Sequence, residues 1–310
     1  MLRIVILGDT GFIGKRLFQF LSAQKHEVVG FSRESGLDLT DYKIVLEKLK
    51  STSPNVIINC ASHAGNVHYG IENPATIVND NLMMVLNLYK AINQLQIDTE
   101  IINLLANCSY PGDAEVQTEK EWWNGIPHHS ALSYASSRRM SYVISLGYFQ
   151  QFGIITKNLV LPGIYGPGDH TDTDRTHALD GMIIRMIMAM KRNEKTFEIW
   201  GSGKPIREWC FVEDLLRIIN MTIKKDINLQ YPVNVGQKKG YSIKKSAEII
   251  ADLIKYDGTL MFNTNYADGA KVKILDNVNF KTIFHNFTFT DFKTGIEKTV
   301  DYYTKILYSI

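Results

Sequence analysis

The sequence predicts an α/β fold in which a doubly wound parallel sheet is joined to a smaller, discontinuous domain. Short apolar, β-rich runs alternate with helical patterns through the first half of the chain, and this pattern changes after Pro162. The runs are apolar throughout, which is typical of parallel strands that helices cover on both faces of the sheet.

Five runs read as buried strands, and four segments between them read as helices. The strands are predicted at Leu2–Leu7, Glu27–Phe31, Asn55–Asn59, Glu100–Leu105 and Ile154–Leu161. The helices are predicted near 12–22, 41–49, 75–95 and 131–151. No repeat, low-complexity tract or long linker interrupts this order.

Beyond Pro162 the predicted elements are shorter and less regular. They are a Gly/Pro/Asp-rich loop, an apolar helix and two short strands, at Gly163–Asp174, about 177–192, Phe197–Trp200 and Arg207–Phe211. Further elements near 213–224, 232–235 and 242–255 can rejoin the first layer. We therefore expect the smaller domain to consist of non-contiguous pieces.

The length and the charge of the chain exclude several classes of protein. A chain of 310 residues with 45% hydrophobic residues is long enough for about two domains, which rules out disordered and fibrous architectures. Lys and Arg number 34 and Asp and Glu number 32, so the formal net charge is only +2. This balance gives no broad basic field for a nucleic acid or an anionic membrane, and an anionic ligand must be bound locally.

Cysteine usage and hydropathy indicate the compartment. No stretch approaches the roughly 20 apolar residues of a membrane helix, and the first apolar run ends in glycines. The cysteines, Cys60, Cys108 and Cys210, are odd in number and form no CxxC or Cys/His cluster. We therefore expect a cytoplasmic protein without a metal site.

A glycine-rich turn follows the first predicted strand directly. The segment from Gly8 to Gly14 reads Gly-Asp-Thr-Gly-Phe-Ile-Gly and leads into a helical stretch. Glycines three residues apart leave backbone N–H groups uncovered at a helix N-terminus, where these donors and the helix dipole stabilise a pyrophosphate. The motif predicts a dinucleotide site. Its predicted contacts are Gly8, Thr10, Gly11, Phe12, Ile13 and Gly14.

The residues after the second strand indicate which dinucleotide binds. An acidic residue near the adenosine ribose is typical of NAD sites, but Ser32 and Arg33 follow the strand here. An arginine can pair with a 2′-phosphate, so NADP(H) is favoured, with NAD(H) as the alternative. Arg33 can also be a solvated loop charge beside Glu34. Asp38 can reach the adenine amino group or simply start the next helix.

These patterns also divide the chain. A dinucleotide-binding domain of the Rossmann type is expected at 1–162 together with about 208–240. A substrate-binding domain is expected at 163–207 and about 241–310.

Tyr134 and Arg138 stand four residues apart in a predicted helix, which places them on one face. A cation fixed beside a phenol stabilises the phenolate, so the pair can exchange a proton with a carbonyl or alcohol oxygen. This segment resembles the Tyr-x-x-x-Lys motif of the extended short-chain dehydrogenases/reductases, with arginine in place of lysine.

Within that superfamily the chain is most similar to the GDP-L-fucose synthases, and the resemblance covers nearly its whole length. Several moderately specific motifs occur in the same order as in that family. They are Ile58–Gly65, Asn73-Pro74, Asn79–Met83, Asn107–Pro111, Tyr165–Pro167, Thr176-His177, Trp200–Gly203, Pro205–Glu208, Asp268-Gly269 and Lys273–Asp276.

The resemblance implies a reductase and 3,5-epimerase of GDP-4-keto-6-deoxymannose. A ketone at C4 acidifies the hydrogens at C3 and C5, so epimerisation needs a base and a proton donor, which a thiol and an imidazole can supply. Cys108 and His177 occupy the matching positions, with Asn107 beside the cysteine, and Tyr134 would protonate the C4 oxygen. From the residues alone, a cysteine after a buried strand, such as Cys108, is usually a small core residue, and His177 can be a cap or surface residue.

The resemblance also implies binding residues and an assembly. It adds Ala61, Tyr134 and Arg138 to the predicted cofactor contacts. A nucleotide-sugar partner brings a diphosphate, which cationic side chains can hold. The residues placed at the substrate are Arg185, Trp200, Arg207 and Lys271, although Trp200 can equally cover the core. A homodimer through paired helices, including the helix that carries Tyr134, is expected.

Three departures fall at the centre of this chemistry. Ala106 occupies the position of the family's active-site serine or threonine, with Asn107 or Ser109 as possible substitutes. Arg138 keeps the charge of the family's lysine but is longer and planar, and Gly163 replaces an asparagine. Two alternatives therefore stay open: a sugar-nucleotide 4-epimerase, dehydratase or 4-dehydrogenase that retains its nicotinamide, and a catalytically silent NADP-binding protein.

Overall fold

The computed structural model describes residues 1–65, 67–172, 176–225, 227 and 229–308. The strands are β1 (Arg3–Leu7), β2 (Glu27–Phe31), β3 (Val56–Asn59), β4 (Glu100–Ala106), β5 (Thr156–Leu161), β6 (Gly163–Tyr165), β7 (Thr196–Trp200), β8 (Ile206–Arg207), β9 (Trp209–Phe211), β10 (Val233–Asn234), β11 (Tyr241–Ser242), β12 (Thr259–Asn263) and β13 (Val272–Lys273). The helices are α1 (Phe12–Ser22), α2 (Tyr42–Thr52), α3 (Val67–Glu72), α4 (Pro74–Leu95), α5 (Leu132–Phe152), α6 (Ala178–Lys191), α7 (Val212–Lys224), α8 (Ile243–Ile254), α9 (Val278–Ile283) and α10 (Phe292–Tyr308).

A six-stranded sheet in the order β10-β5-β4-β3-β1-β2 confirms the predicted doubly wound α/β class. The strands β2, β1, β3 and β4 pair in parallel. Along β1, Val5 and Leu7 pack into an apolar cluster that includes residues of α2 and α4. Ile4 and Ile6, which alternate with them, are also fully buried. Burial on both faces explains why these strands read as unbroken apolar runs.

The described chain forms two compact units, each built from several segments. The first unit contains Met1–Ser109, Ala131–Val160 and Leu216–Val233, and the second contains Tyr110–Ser130, Leu161–Leu215 and Asn234–Ile310, each within the described ranges. The segment Tyr110–Ser130 thus groups with the second unit, although it lies within the predicted first domain. Each unit is thus discontinuous in the sequence.

The second unit has an apolar core of its own. Side chains of α6, α8 and α10 pack there with residues of β7 and β9. A two-stranded parallel pair, β7 with β12, and a three-stranded sheet in the order β11-β8-β13 complete the unit. Glu208 follows β8 directly and links it to two other segments. Its buried carboxylate accepts the backbone N–H groups of Leu275 (2.7 Å) and Lys238 (3.1 Å).

Three predicted elements of the second half are wrong in detail. The predicted loop Gly163–Asp174 begins with the strand β6, which pairs in parallel with β9, and residues 173–174 lie outside the described part. The single strand predicted at Arg207–Phe211 is two strands, because β8 and β9 pair with different partners. The segment near 242–255 forms α8 in the core of the second unit and does not rejoin the first layer.

None of the helices in the described ranges combines the length and the apolar character that crossing a bilayer requires.

Candidate functional site

The glycine turn between β1 and α1 has the shape that a pyrophosphate needs. Gly8 has φ +81°, and a Cβ on Gly14 would stand 2.1 Å from the carbonyl oxygen of Gly8. A Cβ on Gly8 would stand 2.9 Å from the backbone nitrogen of Ala61. Gly11 caps α1 and offers no side chain to the first turn. The first N–H groups of α1 therefore face a cradle lined by backbone, and these residues fit a dinucleotide.

Residues 32–38 form a tight turn after β2. The Ser32 N–H donates to the Ser35 hydroxyl (2.8 Å), and Arg33 extends into solvent. Within the described part of the chain, the buried Ser32 hydroxyl oxygen has no hydrogen-bond partner. A ligand hydroxyl or phosphate at this turn would supply one. The cofactor contacts of Ser32 and Arg33 stay predictions.

Asp38 serves its own turn and does not start the next helix. Its carboxylate accepts the N–H (2.9 Å) and the hydroxyl (2.7 Å) of Thr40. These hydrogen bonds and the charge of Arg33 lower the pKa of Asp38. The cap of α2 is Asp41, which accepts the N–H of Lys43 at 2.9 Å. The predicted contact of Asp38 with adenine stays a prediction.

Tyr134 and Arg138 lie in the first two turns of α5, as the spacing predicts. The guanidinium carbon of Arg138 is 5.0 Å from the centre of the Tyr134 ring. Arg138 is only 3% exposed, and its Nη2 donates over long distances to Asn81 Oδ1 (3.4 Å) and the Ala61 carbonyl (3.5 Å). Among the described residues nothing accepts from its Nε. The hydrogen bonds that are described for this buried guanidinium are long, and an oxygen ligand at Nε would add a further one.

Cys108 lies in a short 3₁₀ turn, Asn107–Ser109, directly after β4. Cys108 and Cys60 are both half-buried, and neither forms a disulfide within the described chain. Burial raises the pKa of the Cys60 thiol to about 12. Asn107 is 9% exposed. Ser109 is fully buried and its hydroxyl donates to the Ala135 carbonyl at 3.2 Å, so that hydroxyl holds the start of α5.

His177 is the N-cap residue of α6 and is held by a buried carboxylate. Asp169 Oδ2 lies 2.9 Å from His177 Nδ1 and also accepts the His177 backbone N–H at 2.8 Å. The imidazole is 49% exposed and the carboxylate is completely buried. This arrangement fixes the orientation of the imidazole through Nδ1.

The charge of Asp169 controls the protonation of this imidazole. Burial opposes a positive charge on His177, but the hydrogen bond and the negative charge of Asp169 outweigh it and raise the pKa of His177. Burial likewise opposes the charge on Asp169, and the interactions with His177 outweigh it and lower the pKa of Asp169. The pair is therefore a stable ion pair at mildly acidic pH.

A second carboxyl, Asp180, lies near this pair. It is fully buried, and its Oδ1 accepts the Gly166 N–H (3.1 Å) and the Tyr303 hydroxyl (3.4 Å). Burial and the charge of Asp169 raise the pKa of Asp180 well above its ordinary value.

The predicted substrate residues fall into two groups on the second unit. The Arg185 guanidinium stands 4.3 Å above the Trp200 ring, whose other neighbour is the stacked ring of Tyr266 at 5.0 Å. Trp200 is 43% exposed, which favours a binding surface over a core cover. Arg207 Nη2 donates to the Asp268 carbonyl at 3.1 Å, and burial lowers its pKa to about 10.

Lys271 is exposed on the segment that pairs with β8, since its carbonyl accepts the Ile206 N–H at 2.9 Å. The charge of Arg207 also acts on the neighbouring imidazole of His128. Burial lowers the pKa of His128, and so do the positive charges of His129, Lys273 and Arg207. Such a concentration of like charges favours an anionic ligand, as a diphosphate would be.

The sequence profile of the NAD dependent epimerase/dehydratase family matches residues 4–236. The chain belongs to this family. Its curated relatives include a GDP-L-colitose synthase of Yersinia pseudotuberculosis, 27% identical over 97% of this chain and 98% of the relative. A GDP-L-fucose synthase of Dictyostelium discoideum is 24% identical over 97% and 94%. Among solved structures, an NADP-bound GDP-L-fucose synthetase from Naegleria fowleri has a TM-score of 0.88 and 24% identity, covering 99% of this chain and 95% of that one.

The sequence analysis does not identify the side chains that hydrogen-bond to the predicted site residues. Asp169 was not singled out, although it precedes His177 by eight residues and a carboxylate near a candidate histidine is a usable signal. Asn81 and Ser62 were quoted only as parts of motifs. Ser62 Oγ lies 3.5 Å from the Tyr134 hydroxyl, a contact between segments 72 residues apart that no sequence spacing reveals.

Replacing Asp169 by Asn should lower the pKa of His177. The change keeps the size of the side chain but removes the negative charge that stabilises the imidazolium. The measurement is the pH titration of the His177 ring proton signals by NMR, identified with the variant His177→Gln. The ring of His285, which is exposed on another segment, serves as an internal reference. An unchanged His177 titration would show that Asp169 does not control this proton.

Proposed function

We propose that the protein is an NADP(H)-dependent reductase, and also a 3,5-epimerase, of a GDP-linked 4-keto-6-deoxy sugar. The observation that carries the proposal is the pairing of Tyr134 with a buried Arg138 in the same unit as the glycine cradle. The curated relatives carry the names of GDP-sugar synthases, and one structural neighbour binds NADP. The Ser32-Arg33 turn supports NADP(H), with NAD(H) as the weaker alternative.

The residues divide the chemistry in a simple way. The dinucleotide supplies a hydride to C4 of the sugar when it is bound. Tyr134 gives a proton to the C4 oxygen, and Arg138 stabilises the phenolate that remains. Cys108 and His177 move protons at C3 and C5, which the C4 ketone acidifies. Arg185, Trp200, Arg207 and Lys271 bind the nucleotide and its diphosphate.

We place the two kinds of binding in different domains. The predicted domain at 1–162 and about 208–240 holds the dinucleotide, and the domain at 163–207 and about 241–310 holds the sugar nucleotide. The cysteines form no disulfide within the described chain, which suits the reducing cytoplasm that we propose as the compartment.

A second candidate is a protein that binds NADP without transferring a hydride. Ala106 favours it, because alanine has no hydroxyl with which to polarise a carbonyl. The retained Tyr134, Cys108 and His177 favour a working enzyme. A sugar-nucleotide epimerase, dehydratase or dehydrogenase that keeps its nicotinamide would instead purify with the cofactor bound.

The reductase proposal predicts that NADPH is oxidised when GDP-4-keto-6-deoxymannose is added. The measurement is the loss of absorbance of the reduced nicotinamide. Tyr134→Phe should slow the reaction by about 10² to 10⁴, because it removes the proton donor while keeping the ring. NADH should support a slower reaction than NADPH. Binding of NADPH without oxidation across several keto-sugar nucleotides would instead support the silent protein.

The epimerase role predicts exchange of the C3 or C5 hydrogen of the substrate with deuterated water. Cys108→Ser and His177→Gln should block this exchange, because neither replacement transfers protons well near neutral pH. Both variants should bind NADPH as the wild type does. Cys60→Ser is the matched control, since Cys60 is a cysteine outside the proposed proton-transfer pair and burial raises its pKa. Normal exchange in both site variants would exclude these roles.

We also propose that two copies of the chain associate through α4 and α5. These helices pack along each other and are 22 and 21 residues long. Together they expose Met83 and Leu86 of α4 and Leu132, Met140 and Val143 of α5, each about 40% accessible. A groove lined by Leu82, Met83, Leu86 and Ser133 lies between them. Two such faces would form a four-helix interface with apolar contacts.

The dimer proposal predicts that Leu86→Lys shifts the protein from twice the monomer mass to the monomer mass in sedimentation velocity. A lysine placed in an apolar interface must bury an unpaired charge. Met261→Lys, which changes an exposed side chain on β12, should leave the mass unchanged. A wild-type protein that sediments as a monomer at micromolar concentration would refute the proposal.

A further inference from the structure

Ser62 occupies a well-defined place beside the phenol of Tyr134. It belongs to the segment that follows β3, and it is exposed, so its hydroxyl is accessible to a ligand. Its Oγ lies 3.5 Å from the Tyr134 hydroxyl oxygen. This distance is longer than a tight O–H···O bond. Two hydroxyls that each donate to one shared oxygen at about 2.7 Å stand roughly 3.5 to 4.5 Å apart.

His63, the next residue, makes hydrogen bonds through both its backbone and its ring, and these bonds restrict the position of Ser62. The His63 backbone N–H donates to Asn81 Oδ1 (3.1 Å), and the His63 carbonyl accepts from Asn81 Nδ2 (2.8 Å). The His63 ring lies between Asp80 Oδ2 and the Tyr69 hydroxyl, each at 2.7 Å. Asn81 Oδ1 also accepts from Arg138, so one amide links the Ser62 segment to the cation under Tyr134.

The chemistry of carbonyl reduction asks for a second donor at this place. When a hydride reaches the carbon, the π electrons move to the oxygen, and the oxygen takes the proton of Tyr134. A carbonyl oxygen has two lone pairs, and a preorganised second donor stabilises its developing negative charge. Ala106 has no hydroxyl, and the hydroxyl of Ser109 is buried against the Ala135 carbonyl.

We propose that Ser62 is a catalytic residue that donates a hydrogen bond to the substrate carbonyl oxygen beside Tyr134. The Ser62 hydroxyl comes from the loop after β3. It replaces the hydroxyl that Ala106, at the end of the adjacent strand β4, does not have. The inference rests on the proposed reductase function and adds a residue to it. The clamp formed by His63, Asp80 and Asn81 positions this hydroxyl.

The kinetic test compares Ser62→Ala with Ser62→Thr. The alanine variant should lose about 100-fold in kcat for reduction of GDP-4-keto-6-deoxymannose by NADPH, with little change in KM for NADPH, because the donor acts on the developing charge. The threonine variant keeps the hydroxyl and should stay within about threefold of the wild type. Ser51→Ala, on the surface of α2, is the matched control. A kcat of Ser62→Ala within twofold of the wild type would overturn the proposal.

A second variant tests whether the two hydroxyls act on one oxygen. If they do, Ser62→Ala should cost much less in a Tyr134→Phe background than in the wild type, since both removals weaken the same stabilisation. Independent effects that multiply would place Ser62 elsewhere in the reaction and overturn the assignment.

A measurement without turnover separates this inference from the proposed function. In protein labelled with ¹³C at the tyrosine Cζ, the signal of Tyr134, identified with Tyr134→Phe, should shift in Ser62→Ala and keep its position in Ser51→Ala. An unmoved signal would refute the contact even if the wild type is an active reductase. A shifted signal in a protein that oxidises no NADPH would refute the reductase function and leave the contact standing.

Discussion

The parallel register of β1, β3 and β4 is the constraint on which the candidate site of the first unit depends. Leu7 at the end of β1 pairs with Asn59 at the end of β3, and Asn59 pairs with Asn103 of β4. Because parallel strands end at the same edge of a sheet, the three following turns must emerge together. These turns are the glycine cradle, the Ser62 segment and the turn that holds Cys108. A register slip would separate all three.

The same close approach explains why glycine stands at two positions of the cradle. A side chain on Gly14 would overlap the Gly8 carbonyl, and one on Gly8 would press on the backbone of Ala61. The Ala61 carbonyl in turn accepts from Arg138. The cradle, the segment after β3 and the cation of α5 thus support one another through the backbone.

The sequence predicted those features whose signal is local. The glycine spacing, the Tyr134–Arg138 spacing and the apolar strands each lie within one short segment, and the structure confirms the elements that carry them. Two-residue strands such as β8 and β13 have no period to detect. The helix α10 had a readable signal, because Phe292, Ile296, Val300 and Tyr303 recur at helical spacing and are buried, but it was not predicted.

The partners that tune the site residues could not be predicted, because they come from distant segments. Asp80 reaches His63 across 17 residues, and Ser62 reaches Tyr134 across 72. Such contacts depend on the strand order and on the path of each loop, which one sequence does not specify. The predicted roles of Cys108, His177 and the cationic residues therefore rest on the resemblance and on the tests described above.

The two carboxyls near His177 show how different surroundings shift the pKa values of identical groups in opposite directions. The imidazole lowers the pKa of Asp169, whereas burial and the charge of Asp169 raise that of Asp180. The two environments therefore push the pKa values of the two carboxyls in opposite directions. Since the pKa of Asp180 is higher in the folded than in the unfolded chain, its contribution to stability is present at low pH and is lost as the pH rises through the folded value. The pKa of Asp169 is lower in the folded chain, so its contribution runs the other way and is lost as the pH falls through the folded value.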